Sequence, residues 1–324
     1  MFRTRIVELL GIKYPIVGGT MMWISDAEFT AHISNAGALG ILASAMYPTP
    51  DEFARALDRV REMTDKPFGV NLNLFPSMRQ IDNNEYLDVM IEKGVSIVET
   101  SGHAAPIDLC DRFRKSGMVW THKCVGLRYA QKVQDMGADI VTVVGYENGG
   151  ATGKLDIGTL VLVPRVAECL NIPVIGGGGV CDARSFMAML ALGAEGAIMG
   201  TRLLATREAP IHENLKQALL RAEEPDTMLV MRSVGSTHRV WSNSAARKCL
   251  EMEDRNCSLS ELINVVGGAK ARKMYSEGSL DMGVISCGQC IGRCNDLPTV
   301  KELLDRIMME ASELAEKLWK CAIN

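Results

Sequence analysis

The chain has 324 residues, of which 47% are hydrophobic and 23% charged, and its 35 basic and 39 acidic side chains leave a net charge of -4. That balance excludes a general nucleic-acid binder, which carries a basic excess or a basic face, and the length supports a sizeable core without disulfide staples. No apolar run reaches the roughly 18 residues that a bilayer span needs, and the N-terminal stretch lacks the apolar core and small-residue cleavage site of a signal peptide, so a soluble cytoplasmic protein is expected.

From the N-terminus to about residue 205, short apolar runs alternate with amphipathic stretches. The runs are Pro15–Val17, Leu39–Leu42, Phe68–Leu72, Ser96–Glu99, Met118–Trp120, Ile140–Val144, Pro173–Ile175 and Gly196–Met199. They are brief and rich in Val and Ile, as buried parallel strands are. Helical patterns lie between them: Asp26–Asn35, Thr49–Met63, Asn84–Lys93, Pro106–Lys115, Leu127–Met136, Leu160–Leu170 and Ala183–Leu192. Helix-start signals recur at Ser25-Asp26, Thr49-Pro50-Asp51-Glu52 and Asp182, and helix-end glycines at Gly37, Gly94, Gly117, Gly137 and Gly193.

Eight strands, each separated from the next by a helix, predict a (β/α)8 TIM barrel. A doubly wound open sheet shares the same local pattern. Beyond Arg202 the rhythm changes. Residues 207–285 read as a mainly helical cap or substrate domain, through Ile211–Glu223, Asn243–Met252 and Leu259–Val266, inserted into a barrel made of 1–206 and 286–324. Thr299–Trp319 closes the chain as an amphipathic helix with a capping box at Thr299 and Glu302.

Barrel chemistry sits at the C-terminal ends of the strands. After the seventh strand comes Gly176-Gly177-Gly178-Gly179, and after the eighth Gly200-Thr201-Arg202. Glycine lets backbone approach a ligand closely, and these two loops are the usual phosphate site of a barrel, so both point to a phosphate-bearing ligand. Neither a P-loop nor a Rossmann fingerprint is present.

Several motifs then combine: the glycine-rich first loop with Gly19, Thr20 and Met21, Phe68-Gly69-Val70-Asn71, the Gly145-x-Glu147-x-Gly149-Gly150 loop, Gly178-Gly179, Gly200-Thr201-Arg202 and Gly288-Gln289. In this order they resemble the nitronate monooxygenase (2-nitropropane dioxygenase) family, which includes the FMN-dependent enoyl-acyl-carrier-protein reductases. Lys66–Leu72, His122-Lys123-Cys124 and Glu208–His212 look most like its CoA-thioester oxidoreductase branch. The resemblance implies one non-covalent FMN. Gly178, Gly179, Gly200 and Thr201 would hold its phosphate, and Asn71 and Lys123 would reach the ring or ribityl edge. Gly19 to Met22 would lie near the ring, and Glu147 would hold the ribityl chain or a neighbouring loop. Gly149 and Gly150 belong to the same pocket, which Gly288 and Gln289 would close.

One departure from the family pattern bears on mechanism. The Gly-Gly of the sixth loop is followed in these relatives by a histidine that acts as acid or base; here the position is Ala151. His103 and His122, expected to face the mouth from the ends of strands four and five, and Tyr146 are the candidate replacements. Of the cap's basic residues Arg221, Arg232, Arg239, Arg247, Lys248, Lys270 and Arg272, a solvated face is expected, with a CoA phosphate as the other reading.

Cys287, Cys290 and Cys294 invite an iron–sulfur or zinc reading, but each normally takes four ligands, so packed thiols and no metal are expected. The functional expectation is an FMN oxidoreductase moving hydride between flavin and an enoyl or keto acyl thioester of CoA or a carrier protein, with NAD(P)H as a transient donor. Nitronate oxidation by FMN and oxygen is the alternative. A non-catalytic flavin-binding barrel and a non-redox sugar-phosphate barrel are the others. A homodimer is the family-level expectation.

Overall fold

The computed structural model describes residues 2–75, 81–102 and 105–323. Each expected apolar run forms a strand: β1 (Ile16–Gly18), β2 (Gly40–Ala43), β3 (Phe68–Asn73), β4 (Ile97–Ser101), β5 (Val119–Cys124) and β6 (Ile140–Val144). A two-residue strand, β7 (Gly150–Ala151), follows in the loop after β6, and the series resumes with β8 (Val174–Gly177) and β9 (Gly196–Met199). Parallel pairing runs β1-β9-β8-β6-β5-β4-β3-β2. A parallel bridge between Val17 and Leu39 joins the two ends, so the sheet closes into the (β/α)8 TIM barrel.

The local signals act where the sequence puts them. Asp26 caps the helix Ala27–Asn35 by accepting from Phe29 N at 2.8 Å. Capping boxes start the helices Pro50–Met63, at Thr49 and Glu52, and Ala183–Ala191, at Asp182 and Ser185. Thr299 and Glu302 exchange the same pair of bonds before the final helix, Val300–Ile323.

Strand side chains alternate between the barrel interior and the helix layer. Val17, Leu39, Ile41, Ile97, Ile140, Val144, Ile175 and Ile198 form one buried cluster with Ile6, Leu10 and Ile12 of the N-terminal segment. The helix Arg5–Leu10 therefore packs against the apolar barrel interior. A larger cluster, including Val98, Trp120, Val141, Val143 and Val174, fills the space between strands and helices.

The segment from 207 to 285 carries, besides its helices, a hairpin that the sequence reading did not include. It holds the helices Glu213–Leu219, Ser244–Asp254, Leu259–Val266 and Gly268–Glu277, and also β10 (Thr227–Val230) and β11 (His238–Trp241). These strands pair antiparallel with each other, and β11 pairs with β7. The hairpin thus adds a small three-stranded sheet to the loop after β6. Val230, Val240, Ala246, Cys249, Leu262 and Val266 form a core of their own, while Leu215, Leu219, Met274, Tyr275 and Ile285 join the main core.

Candidate functional site

Along the inner face of β4 the side chains run Ile97, Glu99, Ser101, so apolar gives way to polar toward the C-terminal end. Glu99 is fully buried. Its Oε1 accepts from Thr20 Oγ1 and from Asn71 Nδ2, each at 2.7 Å, and lies 3.5 Å from Lys123 Nζ. Asn71 Nδ2 also reaches Ser101 Oγ at 3.1 Å, and its carbonyl accepts from Ser44 Oγ at 2.7 Å. The Glu99 Oε2 atom is buried with no hydrogen-bond partner. A buried carboxylate oxygen left without a donor is costly, which marks this as a place for a ligand that donates. Thr20, Asn71 and Lys123, taken from three separate loops and strands in the sequence, are brought together here. Glu99 is the member that sequence reasoning missed. Its signal was a carboxylate inside the otherwise buried run Ile97–Ser101.

Next to this cluster lie the glycine loops. Gly178 has φ +100° and Gly179 φ +85°. A Cβ at Gly178 or at Gly145 would fall inside contact with Thr159. Thr159 donates to Glu147 from its backbone N at 2.9 Å and from its hydroxyl at 2.7 Å, so Glu147 holds the neighbouring loop at the start of the helix Thr159–Cys169. Gly179 and Gly200 differ. A Cβ there would first meet Glu147 Cβ at 3.9 Å and Met21 Sδ at 3.8 Å, respectively. At Gly200 neither packing nor backbone conformation demands glycine, whereas at Gly179 the positive φ does.

The C-terminal segment closes against the same loops. Gly288 N donates to Thr201 Oγ1 at 2.9 Å, and Gln289 N to Glu147 O at 3.0 Å. A Cβ at Gly149 would lie 2.7 Å from the Cys287 carbonyl carbon and Gly288 N. Gly19 N donates to Met199 O at 2.8 Å, tying the first loop to the last barrel strand. Trp23, just beyond, adopts φ +67° and stacks under Arg272, 4.8 Å from its ring centre. A bulky residue in this conformation is strained, a feature that clusters at functional loops. Arg202 is buried and ion-paired with Asp296, so it ties the end of β9 to the C-terminal segment.

The proton-transfer candidates are placed differently. His103 lies outside the described residues. His122 does not face the mouth, contrary to expectation. It neighbours Lys123 on β5 and so points the other way, into the helix layer. There its Nδ1 meets Thr100 Oγ1 at 2.8 Å, beside Trp120 Nε1, which donates to the same hydroxyl at 2.8 Å. Burial pushes the His122 pKa down to about 4. Tyr146 is half-buried with the Arg239 guanidinium 4.5 Å over its ring.

Arg239 corrects the solvated-face expectation. Alone among the seven basic cap residues it is buried, at 3% exposure. It donates to Tyr146 O at 3.2 Å and Thr227 Oγ1 at 3.0 Å. No carboxylate pairs with it among the described residues, and Nη2 has no partner.

The cysteine trio is buried and free. Cys181, from the loop after β8, lies beside it: the neighbouring Cys290 draws the Cys181 thiol below its ordinary value, while burial raises Cys287. Among the described residues no group of three His, Cys, Asp or Glu side chains could hold a metal ion.

A TIM barrel with glycine loops and an unfinished polar cluster at the C-terminal ends of its strands defines a ligand-binding barrel. A profile of the nitronate monooxygenase family matches residues 3–310, and the chain belongs to that family. It is 32% identical to (3aS,4S,5R,7aS)-5-hydroxy-7a-methyl-1-oxo-octahydro-1H-indene-4-carboxyl-CoA dehydrogenase of Rhodococcus jostii, covering 98% of each chain. A probable nitronate monooxygenase of Staphylococcus saprophyticus is 28% identical, over 78% of this chain and 82% of that one. FabK of Thermotoga maritima superposes with a TM-score of 0.91 at 34% identity, covering 99% of both chains. A nitroalkane oxidase of Streptomyces ansochromogenes shares the fold, with a TM-score of 0.83 at 23% identity over 96% of this chain and 99% of that one.

Proposed function

We propose that this chain is an FMN-dependent oxidoreductase that moves hydride between flavin and an enoyl or keto acyl thioester. The observation that carries the reading is the buried Glu99, with Oε2 left for a donor, grouped with Asn71 and Lys123 beside the glycine cradle. The residues fit FMN. Gly178, Gly179, Gly200 and Thr201 would take its phosphate. Asn71, Glu99 and Lys123 would face the donors and acceptors of its ring or ribityl chain, with Met21 alongside. Glu147, Gly149, Gly150, Gly288 and Gln289 would shape the pocket wall. When bound, FMN supplies the hydride chemistry; a lysine near its acceptor edge favours the reduced, anionic form.

Two further supports favour a thioester. One relative is named a carboxyl-CoA dehydrogenase and is aligned over 98% of each chain. Arg239 suits an anionic part of such a substrate, because a buried guanidinium without a counter-ion is costly until an anion arrives. NAD(P)H as a transient donor and a cytoplasmic setting go with this reading.

The test is anaerobic. Dithionite-reduced, FMN-loaded protein is mixed with crotonyl-CoA, and flavin reoxidation is followed. Reoxidation is expected; its absence, together with oxygen-dependent consumption of an alkyl nitronate, favours the second reading. The family profile favours that second reading, nitronate monooxygenase.

A further inference from the structure

Arg239 is one of three residues of the small sheet that are buried without being fully paired. Arg239 Nη2, Thr152 Oγ1 and Thr237 Oγ1 have no hydrogen-bond partner, and the residues are 3%, 4% and 5% exposed. A buried hydroxyl or guanidinium N–H left unpaired is costly, so three of them on one small sheet mark a place where a ligand completes the bonding.

The strand register sets them on one face. Arg239 pairs with Gly150 and His238 with Ala151. Thr152 N donates to Thr237 O at 3.3 Å, which carries the ladder on to a Thr152–Thr237 pair. Directly opposed residues of an antiparallel pair project from the same face, with Cβ atoms about 5 Å apart. Arg239 stands two residues from Thr237, so it shares that face, about 7 Å along the strand. Two oxygens of one tetrahedral anion, each at hydrogen-bond distance from its donor, span such a length.

The opposite face is occupied. Val230 and Val240 turn into the core formed with Ala246, Cys249, Leu262 and Val266. Trp241, two residues beyond Arg239, packs against the main core instead. The face with the threonines and the guanidinium therefore looks onto the barrel. Arg239 lies over the ring of Tyr146, in the loop after β6. A Cβ at Gly153, next to Thr152, would come within 2.7 Å of Val125, just past β5. Tyr146, Thr227, Leu229 and Trp241 are half-buried, which leaves an edge of this face open to solvent.

The donor set selects the ligand. Cys287, the ionisable group that faces Arg239, has its thiol pKa raised by burial and is neutral, so it does not offset the charge. Arg239 Nε is taken by Tyr146 O and Nη1 by Thr227 Oγ1. The paired N–H fork that grips a planar carboxylate is therefore in use. One charged donor and two hydroxyls from separate strands remain, a set that suits the separate oxygens of a phosphate.

We infer that Thr152, Thr237 and Arg239 form a phosphate subsite at the barrel mouth, which selects an acyl thioester by the phosphate end of its pantetheine arm. The inference rests on the acyl-thioester reading. A nicotinamide dinucleotide offers the same chemistry through its pyrophosphate.

The experiment uses Thr152→Val and Thr237→Val, which remove each hydroxyl and keep the side-chain shape, and Arg239→Gln, which removes the charge. Dithionite-reduced, FMN-loaded proteins are mixed anaerobically with crotonyl-CoA and with crotonyl-pantetheine, the same thioester without phosphate. The parent is expected to prefer the CoA ester by about 100-fold in kcat/KM. Each valine variant is expected to lower that preference about tenfold, through KM for the CoA ester, and Arg239→Gln to lower it further. A merely structural role would slow both esters alike and leave the preference in place. A preference within about twofold of the parent's in all three variants overturns the thioester assignment. A tenfold rise in KM for NADH in the same variants would then keep the subsite and give it to the dinucleotide, whereas an unmoved KM for NADH overturns the subsite itself.

If crotonyl-CoA fails to reoxidise even the parent, the substrate reading fails by itself, and the subsite is read by binding. Inorganic phosphate is expected to raise the urea midpoint of the parent more than that of either valine variant. Equal rises overturn the inference. So does a fall in the phosphate-free midpoint of both valine variants, because it would show the hydroxyls to be paired within the protein.

Discussion

Two clusters share strands β4 and β5 and bury polar groups on opposite faces. Inside the barrel, Glu99 gathers Thr20, Asn71 and Lys123 on one oxygen and leaves the other bare. On the helix side, Thr100, Trp120 and His122 use one another: the indole donates to the Thr100 hydroxyl, which also meets the imidazole. Burial is equal, since Glu99 and Thr100 are both fully inaccessible. The difference is completion. A closed polar network holds a core together, whereas an open one keeps a cost that only a ligand removes. Burial of a polar side chain is therefore no guide to function until its partners are counted.

The comparison is broken most sharply at Glu99. Glu99→Leu is expected to weaken FMN binding by about 100-fold, through loss of charge-assisted hydrogen bonds. The same change should leave the urea midpoint of the FMN-free protein unchanged or raised, since it removes an ill-satisfied buried charge. A large fall in that midpoint would make the inner cluster structural.

Next in size is the outer cluster. Thr100→Val strands both the indole N–H and the imidazole, and is expected to cost about 2–3 kcal/mol of stability in denaturant titration. FMN affinity should stay within about twofold, a change worth less than half a kcal/mol.

The pH dependence of stability comes third. The folded-state pKa of His122 lies at about 4, below its unfolded value of 6.5. Between these values the unfolded chain binds a proton that the folded chain refuses. Stability is thus full above the unfolded pKa and falls as pH drops toward the folded one. Between pH 7 and 5 the loss from this ring is about 2 kcal/mol. His122→Gln should flatten that part of the denaturation profile by this amount, and an unchanged slope would refute the assignment.

The smallest effect is expected at Lys123. Lys123→Met should lower the flavin reduction potential and weaken FMN binding by about tenfold or less, because this lysine is partly solvated and its attraction is screened. Spectroelectrochemical titration reads the shift.

The barrel was legible because its strands are brief Val- and Ile-rich runs between helices with explicit caps, such as Thr49 with Glu52 and Asp182 with Ser185. The glycine loops were legible because backbone conformation leaves a mark on residue choice, as at Gly178. The direction of His122 was within reach too, since neighbours on a strand cannot both face inward and Lys123 already did. The hairpin of β10 and β11 was hidden. Thr227–Val230 and His238–Trp241 are four residues each, and β7 is two. So short a ladder is specified by partners distant in the chain, not by a local period. Burial of Arg239 follows from that ladder, which is why the sequence alone suggested a solvated face for it.

If the glycine loops and the open cluster hold FMN, the flavin travels with the protein. The absorbance spectrum of purified, untagged protein, followed by that of the supernatant after denaturation, tests it directly. Oxidised flavin bands, and release of FMN in near-equimolar amount to protein, are expected. A colourless protein that also fails to take up added FMN would contradict it.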